Sequence, residues 1–340
     1  MTHASSNRIS VVSFSAFAAL VVAACGGTQP PPEPVPAAQE PEGAPLTAPV
    51  EAPPPEPTAT ATTPPPPPPP APVVSFSEGI STPESVLYDA ANDRYLVSNI
   101  NGKPLDADNN GYITALSPDG KVLNPKFIAG GTKGVKLDAP KGSGIWQGTL
   151  YVTDITKVRK FDLNTGAPRG EIAFPGSTFL NDISVAPDGR IFVTDSGWKA
   201  AASGFEGTGT DAVYVITKGK VTPLAKSIEL NQPNGCLFTD KGLLVDTGGG
   251  NELYRLDDQG KRQDVTTIPD GMLDGLQLAG DKLLVSSWKS SSIYRGTLGG
   301  QFEAVVWDVN APADIGFDTK RSRILVPRFL DNLVQVYEVK

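Results

Sequence analysis

The stretch FLNDISVAPDGRIFVTDS, from Phe179 to Ser196, decides the fold. It contains an apolar strand, an Asp-Gly turn and a second strand that ends in Val-Thr-Asp, which is the pattern of a β-hairpin. Five other stretches repeat it: PESVLYDAANDRYLVSNI from Pro83, APKGSGIWQGTLYVTDI from Ala139, QPNGCLFTDKGLLVDT from Gln232, LDGLQLAGDKLLVSSW from Leu273 and PADIGFDTKRSRILVPRF from Pro312. Six copies of one strand pair predict a repeat protein.

The copies recur about every 45 residues between residues 73 and 340, which is the period of four-stranded propeller blades. No long amphipathic helical pattern competes with this periodicity. We therefore predict an all-β fold, a six-bladed β-propeller of four-stranded blades, for residues 73–340. After Arg328 the last copy has only one more strand, and the segment VVSFSE from Val73 to Glu78 precedes the first copy without a partner. We expect this N-terminal strand to complete the last blade and close the ring.

The first residues have the pattern of an export signal. Arg8 is followed by an apolar run from Val11 to Val22, which is shorter than the ~20 residues that span a bilayer. The small residues that lead into Cys25 resemble a bacterial lipobox, so residues 1–24 are interpreted as a lipoprotein signal peptide and Cys25 as lipidated. An ordinary signal peptide is the alternative. Either way we expect an extracytoplasmic protein. Lipidation would anchor it to a bacterial membrane, with the outer membrane or periplasm favoured.

Residues 25–72 carry the proposed lipidated cysteine and 20 of the 33 prolines. Such a segment is expected to be a disordered polyproline II tether between the membrane and the propeller. Docking of its Pro-rich stretches on a partner is the alternative.

Histidine and cysteine are almost absent. The only histidine is His3, inside the predicted signal peptide. A mature chain without histidine excludes Ser-His-Asp catalysis, a histidine-ligated zinc and a histidine general base. Cys25 and Cys236 are the only cysteines, so lipidation of Cys25 leaves no intrachain disulfide. Chemistry must then rest on carboxylates, amides, lysine, tyrosine or a hard metal.

The formal charge of −8 includes five glutamates of the Pro-rich segment, which leaves a mildly acidic domain. The sequence has neither a basic patch nor a GxxxxGK[ST] phosphate loop, which excludes nucleic acid as the expected partner. We expect a monomer that takes a small-molecule substrate or ligand at the channel mouth.

One position near the start of each first strand is polar or charged in all six copies. In a propeller these positions surround one mouth of the central channel. The six residues are Glu84, Lys141, Asn181, Asn234, Asp274 and Asp314. Three carboxylates, two amide oxygens and no sulfur or imidazole suit a hard cation such as Ca²⁺, Mg²⁺ or Mn²⁺. The alternative is a water-filled channel in which Lys141 pairs with Asp314 or Glu84.

Four short motifs lead into these strands: PES at Pro83–Ser85, LND at Leu180–Asp182, PNG at Pro233–Gly235 and DGL at Asp274–Leu276. With them the chain resembles, over about residues 80–340, the family of regucalcin (senescence marker protein) and gluconolactonase. The resemblance implies one divalent cation on the axis of a six-bladed propeller, with Ca²⁺ preferred and Mg²⁺, Mn²⁺ or Zn²⁺ as alternatives.

The resemblance also implies roles for individual residues. Glu84, Asn234 and Asp274 would bind the metal, Asn181 would contact substrate, and Asp274 would also act as acid or base in opening a lactone. The sequence departs from the family at two positions. Family members that hydrolyse sugar lactones commonly have Arg where this chain has Phe179, and Lys141 adds an ammonium to the ring. Lys141 and Asp314 are assigned, with Asn181, to substrate binding.

Two functions fit this pattern. A divalent cation that polarises an ester carbonyl, together with a carboxylate base, would make a metal-dependent hydrolase of lactones or related esters. The alternative is a non-catalytic propeller with a structural metal that binds a ligand or a protein, because the fold alone does not give function.

Two loops, a tryptophan and a cysteine complete the features of the propeller sequence. The long segment Gly197–Asp211 joins the second and third strands of the third blade, and we interpret it either as a lid carrying Trp198 and Phe205 or as a plain surface loop. Trp288 is expected to line the same mouth or to pack between blades. The loop Asp106–Gly111 lacks the last ligand of a calcium loop and is interpreted as a turn. Cys236 is expected to be a small buried residue.

Overall fold

The computed structural model describes residues 67–202 and 204–339. The predicted signal peptide, Cys25 and the tether up to residue 66 lie outside the described residues. Within the described part, no helix has the length and apolar character needed to cross a membrane. The only helical segments there are two short 3-10 turns, Ile228–Leu230 and Phe329–Asp331.

Strands make up the rest of the regular structure, and most of them belong to six four-stranded antiparallel sheets. In chain order the strands are β1 (Val74–Phe76), β2 (Pro83–Asp89), β3 (Arg94–Asn99), β4 (Tyr112–Leu116), β5 (Val122–Ala129), β6 (Pro140–Trp146), β7 (Thr149–Asp154), β8 (Lys157–Asp162), β9 (Pro168–Ala173), β10 (Leu180–Val185), β11 (Ile191–Asp195), β12 (Trp198–Ala201), β13 (Gly204–Gly207), β14 (Ala212–Thr217), β15 (Lys220–Lys226), β16 (Pro233–Thr239), β17 (Gly242–Thr247), β18 (Glu252–Leu256), β19 (Arg262–Thr267), β20 (Leu273–Ala279), β21 (Lys282–Ser287), β22 (Ser292–Gly296), β23 (Phe302–Trp307), β24 (Gly316–Asp318), β25 (Arg323–Arg328) and β26 (Leu333–Glu338).

Each blade follows the order of the chain. Blades one and two are β2–β5 and β6–β9, and blade three is β10, β11, β14 and β15, with β12 and β13 as a separate hairpin between β11 and β14. Blades four and five are β16–β19 and β20–β23. Blade six is β24, β25, β26 and β1. The predicted six-bladed propeller is confirmed.

Closure of the ring uses the N-terminal strand. β1 pairs antiparallel with β26, with Val74 opposite Val336 and Phe76 opposite Val334. Phe76 is 3% exposed and packs in an apolar cluster with residues of blades six and one. The strand therefore completes the last blade, as the strand count predicts, and covers the outer edge of β26.

Six apolar clusters hold the ring together, one between each pair of neighbouring blades. Leu96 of β3 and Leu150 of β7, for example, share the cluster between blades one and two. Cys236 lies buried in the cluster between blades three and four, where it acts as a small apolar residue. Burial of this apolar surface is the main stabilising term of the ring.

The six polar positions predicted to surround the channel mouth, called the ring positions below, lie near the start of the first strand of each blade. In five blades this strand has a bulge there. In β10 the register breaks between Leu180 and Ile183, so Asn181 and Asp182 lie outside the ladder. A bulge re-aims side chains that regular pairing would direct along the sheet faces. The same break lies between Pro83 and Ser85, Pro140 and Ser143, Pro233 and Cys236, and Leu273 and Leu276.

Candidate functional site

A cavity of about 500 Å³ lies over the starts of the first strands. Five of the six predicted ring residues line it: Glu84, Lys141, Asn181, Asn234 and Asp274. Asp314 is buried but is not part of the lining, and its Oδ2 accepts a hydrogen bond from Ser85 Oγ at 2.6 Å. The structure thus brings five of the predicted site residues to one cavity and separates the sixth from it.

Within the described part of the chain, three buried oxygens of the cavity lining have no hydrogen-bond partner: Glu84 Oε2, Asn234 Oδ1 and Asp274 Oδ1. Buried polar atoms are normally paired, because an unpaired one loses its hydration without compensation. The amide of Asn234 is oriented by its Nδ2, which donates to the carbonyl oxygen of Leu273 at 3.0 Å. Two carboxylate oxygens and one amide oxygen are ligands that a hard divalent cation prefers. The three residues fit a metal on the chemistry of their free atoms.

The amide is a necessary part of this set. Among residues 67–202 and 204–339, no group of three or more His, Cys, Asp or Glu side chains is arranged to hold a metal. Two other buried acids nearby lie outside the cavity lining. Asp182 Oδ2 accepts from the amide of Cys236 and Asp246 Oδ1 from that of Gly235, both at 2.8 Å, while Asp246 Oδ2 has no partner among the described residues. A site built from the free oxygens of the lining therefore combines two carboxylates with the amide of Asn234.

Buried acidic side chains dominate the electrostatics of the channel. Burial, followed by the charges of Asp274 and Asp314, raises the pKa of Glu84. Burial and then Asp314 raise the pKa of Asp274, and burial raises the pKa of Asp182 to about 7. Burial lowers the pKa of Lys141 to about 8, against the attraction of Glu84. A cation would relieve the repulsion among these acids.

Lys141 has an unexpected partner. Its Nζ donates to the carbonyl oxygen of Ala139 at 3.2 Å and lies 4.4 Å from the centroid of the Phe179 ring. No ion pair joins Lys141 to Glu84 or Asp314 in the part of the chain that the structure describes. Phe179 therefore contacts this ammonium through its ring face, as a cation–π pair.

Aromatic side chains form much of the cavity wall. Trp198 and Phe205 of the β12–β13 hairpin both line it, with ring centroids 5.8 Å apart. Phe179 packs edge-on against both, at 5.2 Å and 5.5 Å. Trp288 and Phe329 form a second pair at 5.1 Å. The long segment of the third blade thus contributes an aromatic hairpin to the cavity.

Several lining residues had not been identified from the sequence. Ile100 and Phe329 follow the second strands of their blades, as Trp288 does, and Gln232 and Met272 precede the first strands of theirs. Their placement directly after a second strand or before a first strand of the repeat is the sequence signal that could have identified them. The loop Asp106–Gly111 is a turn, as interpreted, in which Asp108 accepts hydrogen bonds from the backbone and side chain of Asn110.

No protein-family model matches the sequence, and no curated protein sequence matches it. Solved structures do resemble the fold. A gluconolactonase from Xanthomonas campestris has a TM-score of 0.58 at 17% identity, covering 78% of this chain and 88% of that chain. A luciferin-regenerating enzyme has a TM-score of 0.56 at 13% identity, covering 77% and 94%.

A third similar structure is a catalytically inactive histidine-to-alanine variant of virginiamycin B lyase from Staphylococcus aureus. Its TM-score is 0.52 at 16% identity, covering 78% of this chain and 98% of that chain. At such identities the likeness shows the fold alone. This chain shares the propeller fold of gluconolactonase-like proteins and of the lyase.

Proposed function

We propose that the protein is a divalent-metal-dependent hydrolase of lactones or related esters, displayed outside the cytoplasm on a lipid anchor at Cys25. The observation that carries the enzymatic proposal is the set of three buried, unpartnered oxygens on Glu84, Asn234 and Asp274. They lie at a cavity of a size that suits a small molecule. The sequence pattern around Cys25 supports the anchor.

A divalent cation bound by Glu84, Asn234 and Asp274 would polarise the ester carbonyl and lower the pKa of water. Asp274 is the base in this proposal. One of its oxygens is held by the indole of Trp288 and the other is free. Burial raises the pKa of Asp274 above that of an ordinary carboxylate, which strengthens it as a proton acceptor.

Two further side chains can contact the reacting ester. Asn181 is oriented by its Nδ2, which donates to Ser196 Oγ at 3.1 Å, and it offers the amide oxygen to a substrate group. Lys141 donates one hydrogen bond to Ala139 and has further N–H groups, because an ammonium carries three. These groups could stabilise negative charge on the carbonyl oxygen or on the carboxylate product.

Histidine content favours hydrolysis over lyase chemistry. The similar lyase is catalytically inactive when one histidine is replaced by alanine. The only histidine of this chain is His3. A lyase mechanism that needs a histidine in the propeller has no such residue here, whereas a carboxylate base is present at the cavity.

The test combines metal analysis with a panel of lactones and aryl esters, with and without chelator. Asp274→Asn should retain metal, since an amide still offers an oxygen, but should lose turnover by about 10²-fold or more because it cannot accept the proton. Glu84→Gln should weaken metal binding first, and excess metal should recover turnover. Asp281→Asn, an exposed acid at the end of a hairpin, is the matched control.

The proposal has a clear point of failure. If Ca²⁺, Mg²⁺, Mn²⁺ and Zn²⁺ all leave the melting temperature unchanged, and no ester is turned over, the hydrolase assignment is wrong. The protein would then be a non-catalytic binding propeller.

A further inference from the structure

The cavity has a polar floor and apolar walls. The polar groups are concentrated at the ring positions, where Glu84, Asn234 and Asp274 leave oxygens free. Beyond the ring positions, Gln232 is the only lining residue of the described chain whose side chain carries an amide, a hydroxyl or a charge. A ligand in this cavity therefore meets polar partners at one end and mainly hydrocarbon and aromatic surface elsewhere.

The tryptophan nearest the polar floor offers little to a hydroxyl group. The indole N–H of Trp288 is already donated to Asp274 Oδ2 at 2.6 Å, so its remaining surface is aromatic. Phe329 packs beside it. Lys141, a cation at the floor, lies against the Phe179 ring, and the same ring also contacts the hairpin aromatics.

Sugar lactones fit such a cavity poorly. A sugar lactone carries hydroxyl groups around most of its ring, and each one that enters an apolar wall loses its hydrogen bonds to water without replacement. The cavity volume of about 500 Å³ lies in the range that holds drug-sized ligands, and so leaves room for a substituent on a lactone ring. Aromatic walls gain most from a flat apolar substituent.

We propose, building on the hydrolase assignment above, that the substrate is a lactone or ester with an aromatic or comparably bulky apolar substituent. The substituent packs against Phe179, Trp198 and Phe205 while the ester group lies at the polar floor. In the reaction the oxygen of water bonds to the carbonyl carbon and the bond from that carbon to the ring oxygen breaks. The proton removed from water ends on the released alkoxide, which gives a hydroxy acid.

Binding can be tested without turnover by using lactams, which keep the carbonyl but resist hydrolysis. The full chain is titrated with 6-phenylpiperidin-2-one and with unsubstituted piperidin-2-one, and affinity is measured by calorimetry and by tryptophan fluorescence. The phenyl lactam should bind at least tenfold more tightly. Equal affinities for the two lactams would overturn the proposal.

A pair of matched variants locates the substituent. Phe205 is 44% exposed and Leu278, outside the cavity, is 42% exposed, so neither truncation removes a core residue. Phe205→Ala should weaken the phenyl lactam about tenfold and leave piperidin-2-one unchanged, whereas Leu278→Ala should change neither. Packing of the phenyl group on the hairpin would be contradicted if Phe205→Ala weakened the affinity for both lactams. It would also be contradicted if Leu278→Ala weakened the affinity for the phenyl lactam as much as Phe205→Ala does.

Turnover separates this proposal from the hydrolase assignment. Glucono-δ-lactone, δ-valerolactone and its 6-phenyl derivative are compared by kcat/KM, and we expect the phenyl lactone to be the best substrate by tenfold or more. Preference for the sugar lactone would overturn the apolar substrate class and leave the hydrolase intact. Tight binding of the phenyl lactam without hydrolysis of any lactone would overturn the hydrolase and support apolar recognition.

Discussion

Trp288 and Asp274 are joined by a hydrogen bond of 2.6 Å from the indole N–H to Oδ2. Trp288 directly follows β21, and Asp274 lies in the neighbouring strand β20 of the same blade. The bond holds one oxygen of the carboxylate and leaves Oδ1 without a partner. A residue of the aromatic wall thereby orients a member of the candidate metal set.

Replacing this indole tests its orienting role. Trp288→Phe keeps an aromatic ring but removes the donor, so Asp274 can rotate away from Glu84 and Asn234. We expect metal affinity to fall about tenfold, corresponding to the loss of a hydrogen bond to a charged group. Calorimetric metal titration measures this change. Trp146→Phe, in blade two, should leave affinity unchanged, and equal affinities for wild type and Trp288→Phe would contradict the role.

Closure of the ring by β1 should be visible in stability. Phe76 is buried between blades six and one, so Phe76→Ala should lower the free energy of unfolding by about 3–5 kcal/mol. Ser75→Ala, in the same strand but exposed, should cost less than about 0.5 kcal/mol. Urea unfolding of both variants measures the difference. Similar midpoints for the two would show that β1 contributes little to closure.

Stability of the metal-free protein should fall as pH rises from about 4 to about 7. Burial raises the pKa of Asp182 to about 7, and it also raises the pKa of Glu84, Asp274 and Asp314. In this window the folded protein binds more protons than the unfolded chain, so the free energy of unfolding decreases with pH. For Asp182 alone the decrease is on the order of a few kcal/mol.

Urea unfolding in the presence of chelator, from pH 4.5 to pH 8, measures this slope. Below about pH 4 exposed acids with a lowered pKa, such as Asp188, act in the opposite direction. Saturating Ca²⁺ should flatten the profile by favouring the ionised carboxylates. A chelated protein whose stability does not change across the window would contradict the buried acid cluster.

Removing the ammonium of Lys141 should affect metal binding and turnover in opposite directions. Lys141→Met leaves an apolar chain of similar length against Phe179 and removes a positive charge from the cavity floor. Metal affinity should rise about tenfold because a like charge is gone. Turnover should fall if the ammonium stabilises negative charge on the ester. Calorimetry and saturation kinetics measure the two effects, and unchanged values for both would exclude Lys141 from the site.

Membrane attachment is tested through Cys25. If this cysteine is lipidated, the wild-type protein should fractionate with membranes and incorporate a radiolabelled fatty acid. Cys25→Ala should lose the label and leave the membrane fraction. A variant that still fractionates entirely with membranes would contradict the lipid anchor.

The repeat in the sequence was sufficient to predict the architecture and much of the site. A strand pair that recurs six times specifies blades, because each blade can bury its faces only against its neighbours. The same repeat identified the position near the start of each first strand, and five of those six residues line one cavity. Closure by β1 followed from counting strands.

Only the tertiary structure decided how those residues are used. Pairing between strands creates the bulges of the first strands, and these bulges set which side chains reach the cavity. Asp314 lies outside the cavity lining and accepts a hydrogen bond from Ser85. The contact of Lys141 with Phe179 joins blade two to the residue before β10. Such contacts depend on the distance between blades, which a one-dimensional pattern does not contain. The repeat thus determined which residues are equivalent, and packing between blades determined which of them meet.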